Sequence, residues 1–131
     1  MAEVFIAREE QAGPAIVRCT AQDRMEVYFK PDLTLTVAGI RHMLEVRQRI
    51  GAAMGPHKVL VLLPDLVDFE MGMIGTDHYA QVPQPNTKAV AWVVSSGHNA
   101  ALMQVYMAYY PAPFPSQVFL SEREARAWLG W

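Results

Sequence analysis

Residues 58–63 read KVLVLL, and residues 88–94 read KAVAWVV. Both stretches are apolar at nearly every position, so each predicts a strand that is buried on both faces. Strands of this kind are typical of parallel sheets that have helices on either side. A protein built around these two strands is therefore expected to belong to the α/β class.

Strands and helices alternate on both sides of this pair. Residues 4–6, 15–20 and 25–30 predict strands, and the last two are expected to pair as an antiparallel hairpin across AQDR. Apolar residues recur at spacings of three and four between Val37 and Met54, which predicts an amphipathic helix capped by Thr34 or Thr36.

The second half of the chain continues the alternation. We expect residues 65–75 to be a loop, residues 76–81 to form a short helix capped by Thr76, and residues 99–110 to form a longer helix. Residues 117–120 predict a last strand, and a helix follows. The expected fold is a single α/β domain over residues 1–131. Its sheet is mixed and mainly parallel, with four to five strands, an N-terminal antiparallel hairpin and flanking helices.

The last helix has clear start and stop signals. Ser121 and Glu124 have the spacing of a capping box, in which each side chain bonds to the other's backbone N–H. Gly130 stands where a helix commonly ends. The segment from Ser121 to Trp131 therefore predicts a capped C-terminal helix.

Composition excludes several classes of function. The chain has 131 residues, of which 52% are hydrophobic and 18% charged, and its net charge is −2. No basic stripe indicates nucleic-acid binding, and no run of about 20 apolar residues could span a membrane. The N-terminus lacks the pattern of a signal peptide, so we expect a cytoplasmic protein.

Two loops that follow the buried strands carry polar residues. The weak candidates for ligand binding are Asp65, Asp68, Ser95, Ser96, His98 and Asn99. The acids are alternatively solvated loop residues, and the serine-rich stretch is alternatively a turn with a helix cap. The sequence has no catalytic motif, no zinc-site histidine spacing and no nucleotide-binding glycine pattern, so we expect no cofactor and no metal.

The most unusual feature of the sequence is a long segment without charged residues. Residues 89–121 contain no Asp, Glu, Lys or Arg, and they include a helix that is apolar on nearly all sides. Such a helix must be covered on nearly all sides. The cover could be the PAPFP segment with the C-terminal helix, a second subunit, or an apolar ligand. We favour a homodimer interface formed by Leu102, Met103, Tyr106, Met107, Tyr110 and Phe114.

Four segments resemble one family. They are FKPDLT (29–34), HKVLVLLPD (57–65), KAVAWVVSS (88–96) and PFPSQVFLSEREARAWL (113–129). Together they resemble the SpoIIAA-like, or STAS/SEC14-domain, small bacterial proteins. The last segment is the most specific, because the family ending F-x-S/T-E-x-E-A-x-x-W-L recurs in it.

The resemblance implies a fold, and it does not indicate a particular reaction. Distant relatives include anti-sigma-factor antagonists and lipid-binding SEC14 domains. Antagonists are switched by phosphorylation of a serine in a D-S-x-G segment, but residues 65–72 contain no Ser or Thr, so we do not expect that switch.

The sequence favours a non-enzymatic regulatory or protein-interaction module that acts as a homodimer. The alternative is a small protein that binds an apolar, lipid-like ligand. An enzyme of unknown class is a remote third possibility.

Overall fold

The computed structural model describes residues 7–64 and 67–131. The strands in this part of the chain are β1 Arg8–Ala12, β2 Ala15–Ala21, β3 Arg24–Phe29, β4 Leu33–Leu35, β5 His57–Leu63, β6 Val67–Phe69, β7 Thr87–Val94 and β8 Ser116–Phe119. The helices are α1 Val37–Met54, α2 His78–Gln81, α3 Gly97–Tyr109 and α4 Glu122–Leu129, with one 3₁₀ turn at Met71–Met73.

The main sheet is mixed, with strand order β1-β2-β3-β5-β7-β8. Strands β1, β2 and β3 pair antiparallel, whereas β3, β5, β7 and β8 pair parallel. Strands β4 and β6 form a separate parallel pair. The α/β class, the mixed sheet and the β2–β3 hairpin are thus confirmed.

The sheet has six strands rather than the predicted four to five. The added strand is β1, which reads REEQA and has no alternation of apolar residues. It pairs with β2 at the edge of the sheet, where charged side chains face solvent and discourage further pairing. The strand that we predicted over residues 4–6 lies outside the described residues.

The two central strands are apolar on both faces because both faces are covered. Val59, Val61 and Leu63 of β5 join the larger core beneath α1, whereas Leu60 joins a smaller core with Ala125 and Leu129 of α4. Strand β7 alternates in the same way between the two cores. Helices α1 and α3 therefore lie on one face of the sheet and α4 on the other.

Helix α1 begins where a threonine caps it. The Thr36 Oγ1 accepts a hydrogen bond from the Gly39 backbone N–H at 2.9 Å, which satisfies one free donor of the first turn. Gly55 ends the helix with φ of 78°, a backbone conformation that favours glycine. Of the two predicted caps, Thr36 is confirmed.

Other boundaries differ from the prediction. Helix α3 begins at Gly97, two residues early, because Ser96 caps it. Helix α2 is capped by Asp77 rather than Thr76, and the Thr76 hydroxyl instead donates to the Gly72 carbonyl at 2.7 Å. The predicted loop over residues 65–75 contains β6 and the 3₁₀ turn, since β6 pairs with β4.

Helix α4 follows the predicted start and stop signals. The Ser121 hydroxyl accepts a hydrogen bond from the Glu124 backbone N–H at 3.3 Å, and Gly130 ends the helix in the left-handed conformation. The helix packs on the face of the sheet opposite α3. The alternative in which the C-terminal helix helps to cover the uncharged helix is therefore wrong. No helix in the described ranges is long and apolar enough to cross a membrane.

Candidate functional site

The candidates of the serine-rich stretch lie at the start of α3. Ser96 caps α3, and its Oγ accepts a hydrogen bond from the Asn99 backbone N–H at 3.1 Å. Asn99 is buried, whereas Ser95 and His98 are exposed. The helix-cap alternative for this stretch is therefore supported, and ligand binding there stays a prediction.

The acidic candidates are less well defined. Asp68 is exposed on β6, and Asp65 lies outside the described residues. Leu63 pairs with Val94, so the loops that follow β5 and β7 leave the same edge of the sheet. Within residues 7–64 and 67–131, no group of three or more His, Cys, Asp or Glu side chains could hold a metal ion.

The residues of the predicted dimer interface lie against the chain itself. Each of the six is half-buried: Leu102, Met103, Tyr106, Met107, Tyr110 and Phe114. The exposed side of α3 carries other residues, among them Val105 and Tyr109. Three of the six, Leu102, Met103 and Tyr106, border a cavity. The dimer interface itself stays a prediction.

An apolar cavity lies between α1, α3 and the segment that holds the 3₁₀ turn and α2. Its volume is about 80 Å³, within a cleft of about 720 Å³ of empty space that includes open solvent. The residues around it come from strands of the main sheet (Phe29, Leu63 and Trp92), from the β4–β6 pair (Leu35 and Phe69), from α1 (Ile40, Met43 and Leu44), from residues 73–79 (Met73, Ile74, His78 and Tyr79) and from α3 (Leu102, Met103 and Tyr106). We call this space the α1–α3 pocket.

Hydrogen bonds hold α3 to residues 75–78 beside the α1–α3 pocket. The Tyr106 hydroxyl donates to the Thr76 carbonyl at 2.7 Å and accepts from the His78 backbone N–H at 3.1 Å. The Tyr110 hydroxyl donates to the Gly75 carbonyl at 3.1 Å. These bonds tie the side of α3 to the backbone of residues 75–78.

Two polar groups of the pocket wall, the His78 Nε2 and the Tyr106 hydroxyl, are neutral and hydrogen-bonded within the chain. Burial lowers the pKa of His78, so its imidazole is uncharged at neutral pH. Its Nε2 lies 2.9 Å from the Met73 carbonyl, which can only accept, so Nε2 carries the proton and donates. Burial raises the pKa of the Tyr106 phenol to about 12. A pocket with such walls presents hydrocarbon and aromatic surface to a guest.

A buried arginine stands behind one wall of the α1–α3 pocket. Arg47 of α1 has no exposed surface, and its Nη1 donates to the Tyr79 hydroxyl at 3.3 Å. Its guanidinium carbon also lies 5.7 Å from the centre of the Tyr79 ring. The second donor group, Nη2, bonds to Thr87 Oγ1 at 3.2 Å. Tyr79 therefore separates a buried cation from the pocket.

Sequence reasoning missed Arg47, although a signal was present. Arg47 follows Ile40 by seven positions and Leu44 by three, so it belongs to the apolar row of α1. A charged residue on the buried side of an amphipathic helix is unusual and points to a specific partner. His78 and Tyr79 gave no such signal, because α2 is only one turn long.

Comparison with solved structures identifies the class of fold. The fold is SpoIIAA-like: the chain is similar to an uncharacterised protein of the DUF3478 family from Shewanella loihica PV-4, whose crystal structure has a SpoIIAA-like fold. The TM-score is 0.54 at 14% identity, and the alignment covers 98% of each chain. The SpoIIAA-like resemblance inferred from the sequence is thus confirmed as a fold.

The family match is more specific than the similarity of fold. Residues 21–130 match the model of a domain of unknown function, DUF7793, and the chain belongs to that family. No curated protein matches the chain. The comparisons therefore establish the fold and the family. Evidence for a function has to come from the geometry of the pocket.

The Tyr106 hydroxyl offers a direct test of how α3 is held to residues 75–78. Tyr106→Phe leaves the Thr76 carbonyl and the His78 N–H without their partner, so we expect a loss of about 1–3 kcal/mol in the free energy of unfolding. Urea unfolding monitored by tryptophan fluorescence measures it. The control is Tyr109→Phe, because Tyr109 is 76% exposed, and it should change stability by less than about 0.5 kcal/mol. Equal effects of the two changes would contradict this account of the wall.

Proposed function

We propose that the protein is a non-catalytic binding module that takes a small, mainly apolar molecule into the α1–α3 pocket. The observation that carries this proposal is the character of the walls: fifteen residues surround the cleft, and most of them are aliphatic, aromatic or methionine side chains. Ligand sites are concave and mostly apolar, with few polar groups. This role is the alternative that the sequence left open, and the pocket now makes it the stronger one.

The physical reason is the cost of an apolar space that water fills poorly. A water molecule needs two to four polar partners, and the His78 Nε2 and the Tyr106 hydroxyl are already bonded within the chain. An apolar ligand would make van der Waals contacts that the walls otherwise lack, and it would remove apolar surface from water. The gain requires no chemistry, so the proposed role is binding without catalysis.

The uncharged segment fits this role. Trp92 of β7 and Leu102, Met103 and Tyr106 of α3 belong to it, and all four border the pocket. Their lack of charge has a direct explanation if part of this segment is the wall of an apolar site. Methionine side chains such as Met103 adapt to guests of different shape.

Filling the pocket tests the proposal. Leu102→Trp places a larger side chain in the wall, so we expect it to weaken binding of the apolar dye Nile red at least about tenfold, since the guest loses its volume. The measurement is a fluorescence titration with the dye, which brightens in apolar surroundings.

The matched control is Met71→Trp, because Met71 is 93% exposed and does not border the pocket. It should bind the dye as the natural sequence does. No saturable binding to the natural protein, or equal weakening by both variants, would refute the α1–α3 pocket as the site.

A homodimer that acts as a regulatory or interaction module is the second candidate. The observation that favours it is the outer side of α3, where Tyr109 is 76% and Val105 49% exposed. Exposed apolar side chains that lie together are typical of interaction surfaces. A dimer through these residues leaves the pocket on the inner side of α3, so the two roles are compatible.

Sedimentation velocity tests this surface. We expect a dimer for the natural protein at micromolar concentration and a monomer for Val105→Glu with Tyr109→Glu, because buried unpaired carboxylates oppose association. Gln104→Glu is the control, since Gln104 is an exposed polar residue on the same helix. A monomeric natural protein over the whole accessible concentration range would exclude the dimer.

A further inference from the structure

We infer that the ligand of the α1–α3 pocket is a hydrocarbon monocarboxylate whose carboxylate pairs with Arg47. This inference rests on the proposed function, because it names the chemical class of the molecule that the pocket would bind. Three observations support it: the burial of Arg47, the lack of a counter-ion among the described residues, and the position of Tyr79 between Arg47 and the pocket.

The guanidinium of Arg47 is buried with most of its donors unused. Arg47 is 0% exposed, and its Nε has no hydrogen-bond partner. A guanidinium offers five N–H donors, and those of Arg47 make one bond to Tyr79 and one to Thr87. Both partners are neutral hydroxyls, at 3.3 Å and 3.2 Å, which is long for charge-assisted bonds.

The buried charge also lacks a counter-ion. The ion pairs found among the described residues involve Arg18, Arg49 and Arg126, and none involves Arg47. A fully buried cation is ordinarily paired, because taking it out of water is costly. An anion that enters from outside would complete this site.

The α1–α3 pocket provides the way in. Tyr79 borders the pocket and is half-buried, and its hydroxyl is the acceptor that occupies Arg47 Nη1. If the Tyr79 side chain turned aside, the guanidinium behind it would face the pocket. A carboxylate would then replace the phenol oxygen and accept two parallel hydrogen bonds from the guanidinium, the geometry that arginine favours.

The charge and the walls together define the guest. One uncompensated cation balances one negative charge, which favours a monocarboxylate over a dianion. The remaining walls are mainly aliphatic and aromatic, and the His78 Nε2 and the Tyr106 hydroxyl are bonded to backbone groups. The body of the ligand is therefore hydrocarbon.

Isothermal titration with octanoate and octanol tests the inference, because the two share a chain and differ in the head group. We expect octanoate to bind the natural protein at least about tenfold more tightly than octanol. Arg47→Met should abolish this preference without weakening octanol binding. Arg41→Met is the control: Arg41 is exposed on the same helix and bonds to Gln81, so the preference should remain.

The outcomes separate this inference from the proposed function. If octanol binds as tightly as octanoate, the carboxylate is not recognised, but the apolar pocket stands. If neither binds, the proposed function fails and the inference fails with it. If Arg41→Met removes the preference as fully as Arg47→Met does, general surface charge explains it and Arg47 is not the partner.

A second variant decides the question if Arg47→Met does not fold. Tyr79→Phe keeps the guanidinium but removes the hydroxyl that competes for Nη1. We expect octanoate to bind about two- to fivefold more tightly to this variant, with octanol binding unchanged. Unchanged or weaker octanoate binding would overturn the exchange of the Tyr79 hydroxyl for a carboxylate.

Discussion

Strands β5 and β7 bury side chains on both faces, and the rest of the molecule follows from the need to cover them. On one face the eight-residue helix α4 suffices, because Ala89 and Ala91 of β7 are small and let Ala125 and Leu129 pack closely. On the other face the side chains are larger, and α1 and α3 share the cover with the 3₁₀ turn and α2. The space between these elements is the α1–α3 pocket.

Two kinds of polar interaction shape this pocket. Tyr106 and Tyr110 bond to the backbone of residues 75–78, which fixes α3 against the opposite wall. Arg47 bonds to Tyr79 from behind the wall. The hydrogen bonds of Tyr106 and Tyr110 stabilise the fold. The bond from Arg47 to Tyr79 leaves the buried charge of Arg47 without a counter-ion among the described residues. A buried cation next to an apolar pocket is the feature from which the proposed carboxylate ligand is argued.

The sequence predicted the helices and strands that local residue patterns determine. The two buried strands, the β2–β3 hairpin, α1 and the capped helix α4 follow from periodicity and caps, and all are found. Strand β1 was missed because its REEQA sequence has no strand pattern and pairs only through its backbone. The surroundings of α3 could not be predicted either. Leu102, Met103 and Tyr106 were expected in a dimer interface and border the pocket, because no local pattern distinguishes a cavity wall from a subunit contact. Tertiary packing alone reveals that Arg47 and Tyr79 meet.

Methionine methyl signals in an NMR titration with octanoate test the central claim most directly. Met43, Met73 and Met103 border the pocket, so their methyl resonances should shift together and saturate. Met25, which is fully buried elsewhere in the core, and Met71, which is exposed, should stay in place. Shifts confined to Met71, or no saturable shift at the three pocket methionines, would contradict the account.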